Sequence, residues 1–294
     1  MGSFGGHVLP GSFFIVIAIW WTFHIFNRYY GSRRRNSQFT STAIFPCSCL
    51  CGWLKEWPFE AAVKIFFVVI GFSLEIYTGF SEGRFVNIGN GQHATMFFYF
   101  GLTGIIDILM YYRAPLPPDT DYVMMSMALI VEGLLFKFHL HGRPDMDVLL
   151  HTLLIYTIGA NIVSVFFEIK YRHNVLAPLS RSYFLLLQGT WFYQIAFILY
   201  NPIEGAMPWD LGDHEQMMIV TMYFTWHAGL DILIMLAIGG AVACFHRRLG
   251  PYADDSVSMK RLIHTSPNGQ TFVSLNDDSE SETEFQTPMN VSVH

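Results

Sequence analysis

Residues 215–245 of the chain read EQMMIVTMYFTWHAGLDILIMLAIGGAVACF. This stretch contains no lysine or arginine, and its only acidic side chains are Glu215 and Asp231. A helix needs roughly 20 mostly apolar residues to cross the hydrocarbon core of a bilayer, which is about 30 Å thick. The stretch is therefore long and apolar enough to be a membrane span.

Six further stretches of similar character precede it, and polar connections containing glycine or proline separate them. Seven spans predict an all-α fold, a seven-transmembrane-helix bundle that occupies residues 1–249. The first stretch lacks a small-residue cleavage site, so we expect a retained span rather than a removed signal peptide. The six stretches are 9–26, 61–80, 93–112, 122–139, 146–168 and 183–200.

Composition supports a membrane protein and argues against a soluble one. Of the 294 residues 52% are hydrophobic and 14% are charged, whereas soluble domains have about 25% charged residues. The formal net charge is -6, and residues 250–294 account for most of it, with seven acidic side chains against Lys260 and Arg261. Such a polar segment cannot bury enough apolar surface to fold. We predict a disordered acidic tail.

The basic residues predict the orientation of the bundle. Thirteen lysines and arginines flank the spans on the side of the tail, against Arg84, Lys137 and Arg143 on the other side. Cytoplasmic loops are enriched in these residues, so we expect a luminal or extracellular N-terminus and a cytosolic tail. The lysines and arginines are scattered among loops that flank the membrane, so they give no indication of a nucleic-acid partner.

Two groups of residues on the predicted cytosolic side are candidates for modification. Cys47, Cys49 and Cys51 lie close to a span, as palmitoylated cysteines do; unmodified thiols and a metal knuckle are the alternatives. Ser279 and Ser281 are followed by acidic residues and are candidates for phosphorylation. A phosphorylated acidic tail could bind sorting adaptors, although a purely solubilising tail fits the same composition.

Histidines and carboxylates within the spans are the candidate functional residues. An ionisable side chain inside a span costs around 2.5 to 3.5 kcal/mol, so each needs a partner or a function. Glu132, His139, His151 and His214, with His93, fall in the luminal half of the predicted bundle. Imidazoles and a carboxylate are typical zinc ligands, and histidine also titrates near neutral pH. Hydrogen bonds between helices are the structural alternative.

A second polar group lies nearer the cytosol. His227 and Asp107 form a candidate pair, and Asp231, four residues after His227, lies on the same helix face. An aspartate could orient the imidazole for metal binding or general-base chemistry; interhelical hydrogen bonding is again the alternative. We expect Gln188 and Gln194 to hydrogen-bond between helices.

Several motifs resemble the transmembrane protein 45 family of multipass eukaryotic proteins. The resemblance spans nearly the whole membrane domain, but it covers neither the cysteine-rich loop nor the acidic tail, and Asp231 departs from the pattern. It implies a Golgi, endosomal or related membrane and supplies no mechanism. The matching segments are GHVLPGSFF (6–14), HATMFFYFGL (93–102) with Asp107, VEG (131–133), HLHGR (139–143), His151, LQGTWF (187–192), WD (209–210), DHE (213–215) and WH (226–227).

These observations favour a multipass endomembrane or plasma-membrane protein without enzymatic activity. Its role would lie in trafficking or signalling, and its histidines and glutamate would bind a divalent metal such as zinc or sense protons. One alternative is a metal-dependent membrane hydrolase that uses Glu132, His139, His151 and His214 around a metal-activated water and acts on a lipid-like substrate. A second alternative is a proton-coupled transporter that uses the same groups as a relay.

Overall fold

The computed structural model describes residues 2–45 and 57–249, together with the backbone of 263–265 and 271–273. The predicted palmitoylation sites at Cys47, Cys49 and Cys51 lie outside the described residues. So do the predicted phosphorylation sites at Ser279 and Ser281. The predicted acidic tail lies largely outside them as well.

The described regular structure consists of seven long helices and two short antiparallel hairpins. In the first hairpin Phe80 pairs with Phe85, and in the second, within the tail, Ile263 pairs with Val273. The helices are α1 (Phe4–Arg34), α2 (Phe59–Gly79), α3 (Ile88–Tyr111), α4 (Thr120–His139), α5 (Asp145–Lys170), α6 (Leu176–Leu199) and α7 (His214–Arg248). The strands are β1 (Phe80–Ser81), β2 (Arg84–Phe85), β3 (Ile263–Thr265) and β4 (Thr271–Val273).

The all-helical prediction is confirmed, and each of the seven predicted stretches coincides with one helix. Among the described residues six helices, all except α2, are long and apolar enough to cross a membrane. The seventh span and the orientation stay predictions. Most helices extend beyond the predicted apolar stretch. α1 begins at Phe4 because the hydroxyl of Ser3 accepts a hydrogen bond from the Gly6 amide at 3.0 Å. His7 therefore lies inside a helix.

Consecutive helices run antiparallel, so α1, α3, α5 and α7 begin at one end of the bundle. Leu211, just before α7, accepts a backbone hydrogen bond from Met146 at the start of α5. The core lies between α1, α4, α5 and α6, where Ile25, Leu154 and Trp191 are buried. α2 packs mainly on α3, and α7 packs on α1 and α6. Much of the apolar surface of these outer helices is exposed, as expected of helices that face lipid.

Glycines allow α1 and α6 to approach each other closely. A Cβ atom on Gly189 would lie 2.9 Å from the carbonyl oxygen of Gly11 and 2.8 Å from Cγ1 of Ile15. One on Gly11 would lie 3.0 Å from the carbonyl oxygen of Gly189. Small residues at helix contacts are what bring backbones together in membranes.

We expect Gly189→Ala to destabilise the protein by about 1–3 kcal/mol, because the new methyl group must push α1 and α6 apart. The measurement is the melting temperature of the purified protein in detergent. Gly159→Ala on α5 is the matched control, since nothing lies within 4 Å of the position of its Cβ. Equal melting temperatures for the two variants would show that the α1–α6 contact is not tightly packed.

Candidate functional site

Four histidines from four helices meet at the end of the bundle where α1, α3, α5 and α7 begin, which we call the histidine end. The ring centroids of His7 and His151 are 5.9 Å apart, those of His139 and His151 are 6.3 Å apart, and those of His93 and His139 are 5.1 Å apart. The ring of Tyr200, just after α6, lies 5.2 Å from that of His7. The imidazoles therefore form a continuous group of neighbouring rings.

Charged side chains complete this group. Nη1 of Arg143 donates to Oδ2 of Asp147 at 2.7 Å, and its Nη2 contacts Nε2 of His139. Nδ1 of His151 lies 2.7 Å from Oδ1 of Asp147 and 3.0 Å from the Asp147 backbone oxygen. On the other side, Nδ1 of His93 is 3.3 Å from Oε1 of Glu75. We call His7, Glu75, His93, His139, Arg143, Asp147 and His151 the histidine cluster.

The helix ends determine which side chains enter the cluster. His139 is the last residue of α4, Arg143 lies in the short connection between α4 and α5, and Asp147 and His151 lie on consecutive turns of α5. Spacings of four residues place side chains on one helix face. The antiparallel pairing of α4 with α5 then places His139 beside His151.

Glu132 lies deeper in the bundle, where it is 2% exposed. Nε2 of Gln188 donates to its Oε1 at 2.7 Å, which bears out the expected interhelical role of Gln188. The other oxygen, Oε2, has no hydrogen-bond partner among the described residues. Only one of the two carboxyl oxygens of Glu132 therefore has a hydrogen-bond partner among the described residues.

The predicted metal ligands do not all come together. His93, His139 and His151 belong to the cluster and Glu132 lies below it, but His214 is exposed at the start of α7. No described side-chain contact joins His214 to the other four. The arrangement proposed for a hydrolase is therefore not assembled in the described part of the chain.

The geometry of the cluster does not fit a zinc centre. Zinc ligands converge to about 2 Å from one ion, whereas a guanidinium, that of Arg143, contacts the Nε2 of His139. No group of three or more His, Cys, Asp or Glu among the described residues could hold a metal ion. Zinc binding stays a prediction from the sequence.

The second candidate pair is also separated. His227 contacts Oε1 of Gln194 at 3.2 Å and packs on the ring of Trp191, whereas Asp107 bonds to Nζ of Lys64 at 2.5 Å. The expected role of Gln194 is thus borne out. Asp231 accepts a hydrogen bond from Thr190 at 2.9 Å, so it has a partner other than His227.

Sequence reasoning missed a buried ionic network at the opposite end. Arg181, one of the thirteen basic residues on the side of the tail, lies inside α6. Its Nε donates to Oε2 of Glu168 at 2.6 Å, Tyr122 donates to Oε1 of Glu168 at 2.8 Å, and the guanidinium lies over the ring of Trp21 at 4.0 Å. The short connection between α5 and α6 was the available signal, because helices so joined pack antiparallel.

Residues 35–45, which follow α1, close this end of the bundle. Phe39, Ala43 and Phe45 are buried in the core. The backbone amide of Phe45 donates to Glu60 at 2.8 Å, and Nε1 of Trp21 donates to the same carboxylate at 2.7 Å. Glu60 is therefore a buried structural group.

Six or more long apolar helices with ionisable groups among them define the class: the chain is an integral multipass membrane protein. Residues 118–239 match a family of unknown function (DUF716). That region includes α4, α5, α6 and most of α7, and with them Glu132, His139 and His151 of the candidate site.

Curated relatives support the same class. The chain is 25% identical to transmembrane epididymal protein 1A of Mus musculus, over 98% of this chain and 97% of the relative. It is 24% identical to transmembrane epididymal protein 1 of Rattus norvegicus, over 98% of this chain and 97% of the relative. The human protein of that name is 27% identical over 69% of this chain and 74% of its own length. The similarity to the rodent proteins thus extends over the whole membrane domain.

Proposed function

We propose that this multipass membrane protein has no enzymatic activity and responds to protons through its histidine cluster. The observation that carries the proposal is the convergence of four imidazoles from α1, α3, α4 and α5 around one guanidinium and two carboxylates. Histidine is the side chain whose charge changes between about pH 5 and 8.

The charges of the cluster favour uptake of a proton. With neutral imidazoles, Glu75 and Asp147 outweigh Arg143 by one negative charge, so the first proton neutralises the cluster. Two charged imidazoles 5–6 Å apart repel each other by about 3 kcal/mol at an effective dielectric constant of about 20. A second proton therefore favours separation of the helix ends, and this converts a change of pH into a change of structure.

Arg143 favours a response to protons over binding of a metal. Its guanidinium contacts His139, and a fixed cation at that nitrogen opposes a second cation. The carboxylate of Asp147, whose Oδ1 lies 2.7 Å from Nδ1 of His151, can instead pair with a charged imidazole.

We further propose that the histidine end faces the lumen of an acidifying compartment, in a trafficking or signalling role. Two sequence features support this location: the excess of basic residues on the opposite side, and the resemblance to the transmembrane protein 45 family, which implies Golgi or endosomal membranes. The acidic tail would then be available to cytosolic sorting adaptors. A plasma-membrane location would expose the same cluster to the extracellular medium.

Hydrogen exchange of the full chain in lipid nanodiscs tests the proposal. We expect faster exchange, after correction for the intrinsic effect of pH, in residues 3–8 and 140–147 when pH falls from about 7 to about 5. The double variant His139→Gln/His151→Gln should lose most of this change. The matched control is His246→Gln at the opposite end, where His246 contacts Asn27.

Two results would count against the proposal. One is exchange that does not depend on pH, or that changes equally in the double variant. The other is a stoichiometric metal in the purified protein that the double variant loses, which would establish the metal site predicted from the sequence.

A further inference from the structure

A second feature lies between the histidine cluster and Glu132: an apolar pocket bounded by α1, α2, α3, α4 and α6. Its walls are mainly aromatic, and its polar lining is limited to His7, Glu75, His93 and Glu132. The cavity measures about 50 Å³, several times the 10–15 Å³ or so that one water occupies. It can therefore hold a small group together with the first segment of an apolar chain.

The unpartnered oxygen of Glu132 indicates what this pocket binds. Oε1 is satisfied by Gln188, while Oε2 is buried without a partner among the described residues. A buried polar atom left unsatisfied costs roughly 1–3 kcal/mol. A ligand that hydrogen-bonds to Oε2 recovers that free energy.

Water is a poor occupant of this pocket. A buried water makes about three hydrogen bonds, whereas the lining of this pocket is largely apolar and includes Phe14, Phe100, Phe136 and Phe192. A hydroxyl group on an apolar body suits the lining better, since its body packs on the rings. The hydroxyl both donates and accepts, so it satisfies Oε2 whether the carboxyl group is ionised or protonated.

The packing of the helices supplies a route from the bilayer. α2 packs mainly on α3, and the pocket lies along the seam between α2 and α1. Phe67 and Val68 of α2 and Phe13 and Phe14 of α1 line it. The rings of Phe13 and Phe67 lie 5.5 Å apart in this seam, and the hydrogen bond from Trp21 to Glu60 joins the same two helices at the opposite end. A lipid can place its polar end in the pocket while its body stays in this seam.

We infer that the pocket binds the hydroxyl end of a membrane lipid, with Glu132 as its hydrogen-bond partner and the aromatic walls around its apolar body. A sterol and a diacylglycerol both present this chemistry. The inference goes beyond the proposed response to protons and does not depend on it.

Photolabelling of the full chain in nanodiscs at neutral pH tests the inference. The probes are an alkyne-tagged photoreactive cholesterol and an alkyne-tagged photoreactive diacylglycerol, each paired with a deoxy analogue in which hydrogen replaces the free hydroxyl group. We expect one of the two alcohols to label peptides from residues 6–14 or 93–100, and the deoxy analogues to label about tenfold less, since a lost hydrogen bond worth about 1.4 kcal/mol changes affinity tenfold. The alcohol that labels identifies the source of the ligand.

Variants at Glu132 separate hydrogen bonding from folding. Glu132→Leu should lower labelling about tenfold, while Glu132→Gln should retain most of it because an amide both donates and accepts. Asp231→Asn is the matched control, since this buried carboxyl group on α7 does not line the pocket. If Glu132→Leu does not fold, Val68→Phe, which narrows the pocket, should give the same loss.

Equal labelling by the alcohol and its deoxy analogue, or equal labelling of Glu132→Leu and the unaltered chain, would overturn the inference. Both would show partition into the bilayer without a specific site. Because every measurement is made at neutral pH, failure here leaves the response to protons intact, and failure of the exchange experiment leaves lipid binding intact.

Discussion

Arg181→Met is expected to lower the free energy of unfolding by about 3–5 kcal/mol, the usual effect of removing one partner of a buried ion pair. Both side chains of the pair are 0% exposed, and Nε of Arg181 lies 2.6 Å from Oε2 of Glu168. The variant leaves that carboxylate buried, with Tyr122 at 2.8 Å as its remaining side-chain donor among the described residues. The guanidinium also donates to the carbonyl oxygens of Thr42 and Ala43, so the connection between α1 and α2 loses its attachment.

The melting temperature of the purified protein in detergent measures this effect, and Arg172→Met is the matched control. Arg172 pairs with Asp119, but their side chains are 21% and 48% exposed, and pairs so exposed contribute up to about 1 kcal/mol. The double variant Glu168→Leu/Arg181→Met should recover much of the loss, since apolar replacement of a buried pair is often neutral. Equal losses for Arg181→Met and Arg172→Met would contradict the buried network.

The helices of this fold could be predicted from the sequence because each span must be apolar over nearly its whole length. The start of α7 was predicted within one residue, since Asp213 caps the helix through the amide of Glu215 at 2.9 Å. The start of α1 was predicted five residues late. Apolar runs mark the part of a helix inside the bilayer, whereas the cap at Ser3 depends on a local hydrogen bond.

The depth of each candidate residue in the bilayer could be predicted from the sequence, but which of these residues lie side by side could not. The position of a residue along its span gives its depth, and on this basis His139 and His151 were correctly expected at one level. His214 lies at the same end of the bundle, but α7 packs on the outside against α1 and α6. Which helices are neighbours, and which faces they turn toward each other, depends on contacts such as Gly11 with Gly189 that no single span reveals.

Asp107 shows the same limit for a pair of residues. Its depth matched that of His227, which made the two a candidate pair, and a lysine near the end of a span, such as Lys64, commonly extends its charged group to the interface. Because α2 and α3 are joined by a tight hairpin and pack along their lengths, Lys64 meets Asp107 instead. A lysine near the end of a span therefore has two interpretations, and only the identity of the neighbouring helix decides between them.

Lys64→Met should consequently destabilise the protein by about 3–5 kcal/mol, because it leaves Asp107 buried without its cation. The side chains of Lys64 and Asp107 are 9% and 3% exposed, and Nζ lies 2.5 Å from Oδ2. A double-mutant cycle with Lys64→Met and Asp107→Asn measures the interaction directly through the melting temperatures of the four proteins.

The cycle should show that Lys64→Met lowers the stability of the protein much less in the Asp107→Asn background, where residue 107 carries no charge. A parallel cycle with His227→Gln and Asp107→Asn is the control, and it should be additive within about 0.5 kcal/mol, as for residues without shared partners. Coupling between His227 and Asp107, together with additivity between Lys64 and Asp107, would contradict the packing of α2 on α3. It would instead support the pair of His227 and Asp107 that was expected from the sequence. Because Lys64 and Asp107 join α2 to α3 at the opposite end from the histidine cluster, their loss should also leave the pH dependence of exchange in residues 140–147 unchanged wherever the variant still folds.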